Sequence, residues 1–196
     1  MSLPEKKVYY LDGTAACYKS SIILKCREDN ICYTSSSDLT EMRERFPSFY
    51  TRQDGIQFST LPWYSMYLEK LFLDKTIGDE YTIMLCDRSP IAVFVYKLVN
   101  KKIKFDIQEL KRILPAWFAF YFSKTKVLFL IDNDISAVKT RLVERGGFDV
   151  DFATDEYFVL QNSYFKAIAE LYNIPLIDVN GKTFSEIYEY VVNWIK

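Results

Sequence analysis

The chain has 196 residues, 49% apolar and 26% charged, the make-up of one folded domain of ordinary size and not of a disordered segment. It holds no histidine, which excludes Ser-His-Asp and Cys-His catalysis, His-ligated zinc and a histidine general base together. Lys+Arg 25 against Asp+Glu 26 leaves a formal net charge of -1, which argues against a protein that coats nucleic acid.

In chain order, residues 7–11 (KVYYL) read as a strand, with Asp12-Gly13 as the turn after it. Residues 19–28 read as a helix and 31–35 (ICYTS) as a second strand. Residues 38–46 suit a short helix capped by Ser37 or Asp38. Residues 58–75 suit a longer aromatic helix with Pro62 in its first turn. Residues 81–86 (YTIMLC) form an apolar strand that ends at Asp87-Arg88-Ser89-Pro90, and helices are expected at about 91–100 and 106–122. Residues 126–131 (KVLFLI) are another apolar strand, closed by Asp132-Asn133-Asp134. Helices at 135–145 and 155–172, a strand at 174–179 and a helix at 183–195 complete the pattern.

Strands at 7–11, 81–86, 126–131 and 174–179 are nearly all apolar, as strands buried on both faces are. Their alternation with helices predicts one α/β domain over residues 1–196, three layers deep, with a parallel, doubly wound sheet of about five strands. Ligands bind such sheets beyond the carboxyl ends of the strands. The polar residues there are Asp12-Gly13, Asp87-Arg88-Ser89 and Asp132-Asn133.

Four cysteines, at 17, 26, 32 and 86, show no C-x-x-C spacing, so free thiols in a reducing, cytoplasmic compartment are expected. The first residues, MSLPEKKVYYLDG, carry charges where a signal peptide needs an apolar core. No apolar run approaches the ~18 residues of a membrane span.

Three segments carry chemistry. In the first, Gly13, Thr14, Ala15, Ala16, Cys17, Tyr18, Lys19, Ser20 and Ser21 lie between a strand and a helix. The spacing of Gly13, Lys19 and Ser20 matches the phosphate-binding loop G-x-x-x-x-G-K-[ST], with Tyr18 in place of the second glycine. Amides at a helix start make a positive concavity for phosphate; Lys19 adds a charge, and Ser20 offers a hydroxyl to magnesium. A plain strand-turn-helix with a surface lysine is the competing reading.

The second segment is Asp87-Arg88-Ser89 after a buried strand. Asp87 can hold magnesium through water or take a proton from a substrate hydroxyl, and Arg88 can meet a substrate phosphate. An Asp cap beside a surface Arg is the alternative. The third is Arg141-Leu142-Val143-Glu144-Arg145-Gly146-Gly147. Arg141 and Arg145, four apart, share a helix face, and the glycines permit a lid over about 141–152. Arginines there would stabilise charge on a transferring phosphoryl group. A solvated face paired to Glu144, Asp149 or Asp151 is the alternative.

With these residues in this order, the chain resembles the thymidylate kinase and deoxynucleoside kinase group of P-loop kinases. The resemblance runs over nearly the whole chain but is dense only at Gly13, Lys19 and Ser20, at Asp87-Arg88-Ser89, and at Arg141 and Arg145. It implies a P-loop fold, ATP and Mg²⁺ as cofactors, a nucleotide or nucleoside as substrate and a homodimer. Lys19, Asp87, Arg88, Arg141 and Arg145 would be catalytic, residues 13–21 would hold ATP, and Ser20 and Asp87 would hold the metal.

The chain departs from the group at Ala16 and Tyr18, which replace loop glycines. Where deoxynucleoside kinases place a glutamate after the second strand, it reads Thr34-Ser35-Ser36-Ser37, and the first acid is Asp38. A monophosphate acceptor needs no such base but needs positive charge, which Arg43, Arg45, Arg52 and Arg88 supply. The expected activity is therefore phosphoryl transfer to a pyrimidine deoxynucleoside monophosphate. A deoxynucleoside acceptor, or a binding module without turnover favoured by Tyr18, are the alternatives. The group builds its base pocket where Phe58 to Phe72 lie; Phe58, Trp63, Tyr64 and Tyr67 would stack on a base and Gln57 would bond its edge. In a chain that is 17% aromatic, an aromatic stripe at helical spacing is more often a core face.

Overall fold

Tyr9 and Tyr10 are neighbours in the chain and both 2% exposed, which only a strand covered on both faces allows. They belong to β1 (Lys7–Gly13). The computed structural model describes residues 7–35, 83–100, 102, 106–113, 125–146 and 154–196. After β1 come α1 (Lys19–Glu28), β2 (Tyr33–Ser35), β3 (Ile83–Asp87), α2 (Pro90–Asn100) and α3 (Ile107–Ile113). Then follow β4 (Lys126–Ile131), α4 (Ile135–Arg145), α5 (Asp155–Tyr172), β5 (Leu176–Asp178) and α6 (Phe184–Ile195).

The five strands form one parallel sheet in the order β2-β3-β1-β4-β5. Side chains alternate across it. Tyr9, Leu11, Leu85, Leu128 and Leu130 face α1 and α6 and pack with Ile22, Ile23, Val191 and Ile195. Tyr10, Met84, Cys86, Val127 and Phe129 face α2 and α5 and pack with Ile91, Val95, Phe165 and Ile168. Phe129 meets Phe165 edge-on with ring centroids 4.9 Å apart. Burial of one such ring contributes about 1.5–3 kcal/mol. The three-layer, doubly wound architecture is the one the apolar strands predict.

Helix starts carry their own signals. Asp134 caps α4 by accepting from Ala137 N–H at 3.0 Å, and Thr154 caps α5 by accepting from Tyr157 N–H at 3.2 Å. Thr183 and Glu186 form a reciprocal capping box on α6.

Several boundaries differ from expectation. β1 continues through Asp12-Gly13, which is strand and not turn, because both residues still pair with β4. β2 and β5 are three residues each, shorter than 31–35 and 174–179, for they are the outer strands and pair on one side. β3 runs Ile83–Asp87, so Asp87 ends the strand instead of following it. The expected helices at 38–46 and 58–75, the rest of 106–122 beyond Ile113, and the lid beyond Gly146 lie outside the described residues.

Candidate active site

β1 is central, with β3 on one side and β4 on the other. The chain passes from β1 to β2 and β3 on one side and then crosses to β4 and β5 on the other, so the carboxyl ends of β1, β3 and β4 surround the switch point where such sheets bind ligands. Asp12-Gly13, Asp87 and Asp132 stand at or just past those three ends.

Gly13 is demanded by packing. Its φ is 126°, and a Cβ there would lie 1.9 Å from the Leu130 carbonyl oxygen of β4. The next amide, Thr14 N–H, donates to that same oxygen at 2.9 Å. The loop then turns twice through left-handed backbone, at Ala16 (φ 54°) and Tyr18 (φ 60°). These are the two positions where glycine was expected. A side chain in that region costs about 1–2 kcal/mol, so neighbouring contacts must hold the turn. The Tyr18 ring lies 6.0 Å from that of Phe184 at the start of α6, and the Arg141 guanidinium carbon sits 5.1 Å from its centroid.

From Tyr18 the chain enters α1, whose first bond joins Ile22 N–H to the Tyr18 carbonyl at 2.9 Å. The first-turn amides of Lys19, Ser20 and Ser21 therefore have no carbonyl one turn back within the helix. Thr14 and Ala15, in contrast, have their amides taken by the scaffold: Ala15 N–H donates to Gln161 Oε1 at 3.2 Å.

Lys19 is 6% exposed, and its ammonium donates to the Thr14 carbonyl. Among the described residues it makes no ion pair, and burial pulls its pKa below the ordinary lysine value. It is no surface lysine. Ser20 Oγ donates to Asp87 Oδ2 at 2.9 Å, bringing the first helical turn to the end of β3. Asp87 is buried and is not a helix cap; that role falls to Ser89, whose hydroxyl accepts from Ile91 N–H at 3.2 Å, with Pro90 at the first helical position. Arg88, half-buried at φ 64°, holds its guanidinium carbon 5.4 Å from the Tyr96 ring centroid.

Arg141 does not pair with Glu144. Its Nε donates to the Ala16 carbonyl at 2.8 Å, and its terminal nitrogen meets Asp132 Oδ2. Arg145 stands exposed one turn further along α4 and makes no ion pair among the described residues. Gly146 follows at φ 67°, and Gly147 lies outside the described residues. So do Asp38, Arg43, Arg45, Arg52, Gln57, Phe58 and Trp63.

Asp12 and Asp132, which the sequence marks only as polar residues at strand ends, and Gln161 and Asn162, which no sequence pattern singles out, complete the site. Asp12 is fully buried and accepts from Gly13 N–H at 2.8 Å and from both the amide and hydroxyl of Ser89. Burial drives its carboxyl above the usual range, with the Ser89 bond opposing. Asp132 anchors Arg141. Asn162 of α5 accepts from the Thr14 hydroxyl and donates to the Asp132 carbonyl at 2.7 Å, with Gln161 beside it on Ala15. A sequence signal for this pair exists. Gln161 and Asn162 fall on the helix face that carries Phe158 and Phe165, where buried amides must find partners.

No protein-family model matches the sequence, and no curated protein matches it. Solved structures match in fold. A deoxyadenosine kinase from M. mycoides with bound dATP superposes with a TM-score of 0.63, covering 96% of this chain and 98% of that one at 13% identity. A thymidylate kinase from Ehrlichia chaffeensis gives 0.58 over 98% and 100% at 12% identity. The YorR protein from Bacillus subtilis, in complex with phosphorylated GDP, gives 0.53 over 96% and 95% at 18% identity. Among the described residues no helix is long and apolar enough to cross a membrane.

Proposed function

From the P-loop nucleotide-kinase fold that these matches share, we propose that the chain transfers the γ-phosphoryl group of ATP to a pyrimidine deoxynucleoside monophosphate. The observation that carries the reading is Lys19: a buried ammonium at the sheet's switch point, touching a neutral carbonyl, with no carboxylate paired to it among the described residues. A buried charge is stable only when compensated, and a phosphate oxygen supplies that compensation.

The residues fit ATP and magnesium. Lys19 and the amides of the first turn of α1 offer donors to phosphate oxygens. Ser20 and Asp87, already 2.9 Å apart, form the hard oxygen pair that magnesium prefers. When bound, MgATP supplies the transferable phosphoryl group and a metal ion that neutralises its charge. Gly13 sets the start of the loop, and Tyr18 keeps the turn without glycine. Arg88 orients the acceptor and Arg145 approaches the transferring group. Asp38, Arg43, Arg45, Gln57, Phe58 and Trp63 make up the acceptor side of the proposal. The absence of an acid in Thr34-Ser35-Ser36-Ser37 favours an acceptor that is already an anion. Residence in a reducing cytoplasm, a homodimeric state and small nucleotides as partners belong to the same reading.

A deoxynucleoside acceptor is the second reading, favoured by the match to deoxyadenosine kinase. Asp87 would then serve the sugar hydroxyl as well as the metal. A coupled ADP-release assay over a panel of deoxynucleosides and their monophosphates separates the two. Turnover is expected with a pyrimidine deoxynucleoside monophosphate. Turnover of deoxynucleosides alone would select the second reading. Turnover of none, with no nucleotide-induced thermal shift, would sink both.

A further inference from the structure

Ala16 and Tyr18 put side chains into left-handed backbone at both sharp turns of the loop. One side chain touches both turns. Arg141 Nε holds the Ala16 carbonyl at 2.8 Å, and the same guanidinium lies against the Tyr18 ring at 5.1 Å. It is fixed from behind by Asp132, whose side chain is 1% exposed. Asp132 is itself held: its Oδ1 accepts from Asp134 N–H at 2.8 Å, and its carbonyl accepts from Asn162. The Tyr18 ring also meets the Phe184 ring, tilted at 59° to it.

We propose that Asp132, Arg141 and Tyr18 form a clamp that holds the phosphate loop in its receptive turn, replacing the conformational freedom that glycine would supply. Arg141 is then a positioning residue for the loop and not an arginine that sweeps over the transferring phosphoryl group. Its Nε and one terminal nitrogen are already committed, to Ala16 and to Asp132. Tyr18 becomes a working part of the site, because glycine at that position would leave Arg141 no ring to rest on. The inference rests on the phosphate-binding reading of the loop.

The test is a double-mutant cycle on the full chain, read by calorimetric binding of MgATP and of inorganic tripolyphosphate, and by steady-state turnover. Arg141→Met is expected to weaken both ligands about tenfold, with the loss in KM for ATP and not in kcat. In a Tyr18→Gly background the same change should cost less than about threefold, because glycine adopts the turn unaided. In a Tyr18→Phe background, which keeps the ring, it should again cost about tenfold. If Arg141→Met does not fold, Arg141→Lys carries the cycle, since lysine cannot hold Ala16 and Asp132 together. Equal penalties in all backgrounds, or a loss confined to kcat, would overturn the clamp. Failure of the unaltered protein to bind either ligand would overturn the phosphate-site reading itself.

Discussion

Ser20 Oγ and Asp87 Oδ2 lie 2.9 Å apart although 67 positions separate them in the chain. The pair joins the first turn of α1 to the end of β3, where the sheet changes direction. Asp87→Asn keeps the shape and removes the charge. It should raise the magnesium concentration needed for half-maximal turnover about 10- to 100-fold, while tripolyphosphate still binds without metal. A magnesium titration of turnover checks this, and an unchanged dependence would remove Asp87 from the metal's ligand set.

Lys19 makes the opposite demands on stability and on binding. Its folded pKa lies below the unfolded value of 10.5 because burial disfavours the ammonium. Between those two values the unfolded chain binds more protons, so stability rises with pH across that window and its lysine cost is gone above it. Lys19→Met should therefore raise the Tm of the nucleotide-free protein by a few degrees at neutral pH and flatten that alkaline rise. It should also abolish the thermal shift produced by MgATP. Differential scanning calorimetry with and without nucleotide reads both effects.

Gly13→Ala tests the junction of β1 and β4. The new methyl group would collide with the Leu130 carbonyl, and φ is 126°. The cost should be about 3 kcal/mol or more, seen as a Tm lower by about 10 °C. Gly146→Ala meets open space, so its cost is confined to the backbone, whose φ 67° and ψ 170° suit glycine, about 1–3 kcal/mol.

Asn162→Leu strips partners from two buried groups at once, the Thr14 hydroxyl and the Asp132 carbonyl. A loss of about 2–4 kcal/mol in urea unfolding is expected. Thr14→Val removes one of the two bonds and should cost less.

All four cysteines are free and buried, and burial lifts the Cys17 thiol to about 11. A thiol-reactive probe at pH 8 should label the native protein slowly and reach four equivalents only after denaturation. Rapid labelling of Cys17 would show that the loop opens far more readily than its contacts imply.

The strands were legible because both faces of the sheet are covered. Apolar runs such as KVLFLI leave few other readings, and β4 spans those six residues as expected. The loop was legible through Gly13, Lys19 and Ser20, whose spacing is local. The supports of the loop were not, because they come from afar: Asn162 meets Thr14 across 148 positions. The sequence marks Asp12 as a turn residue at a strand end, because Asp-Gly usually is one, whereas here it is the last buried polar side chain of a strand. Arg141 was read with Arg145 from helical spacing alone, which gives the shared face but not the partner.

The place of β1 in the sheet bears on how the chain reaches its fold. β1 precedes the other described strands in sequence yet lies in the middle, pairing Lys7 with Ile83 and Tyr9 with Lys126. Neither pairing can form until those later segments exist and have crossed over. Such distant parallel contacts fold slowly, and a nascent chain that stops before β4 leaves a bare, apolar strand edge. Truncation between α3 and β4 should thus give an aggregating fragment and not a smaller folded unit.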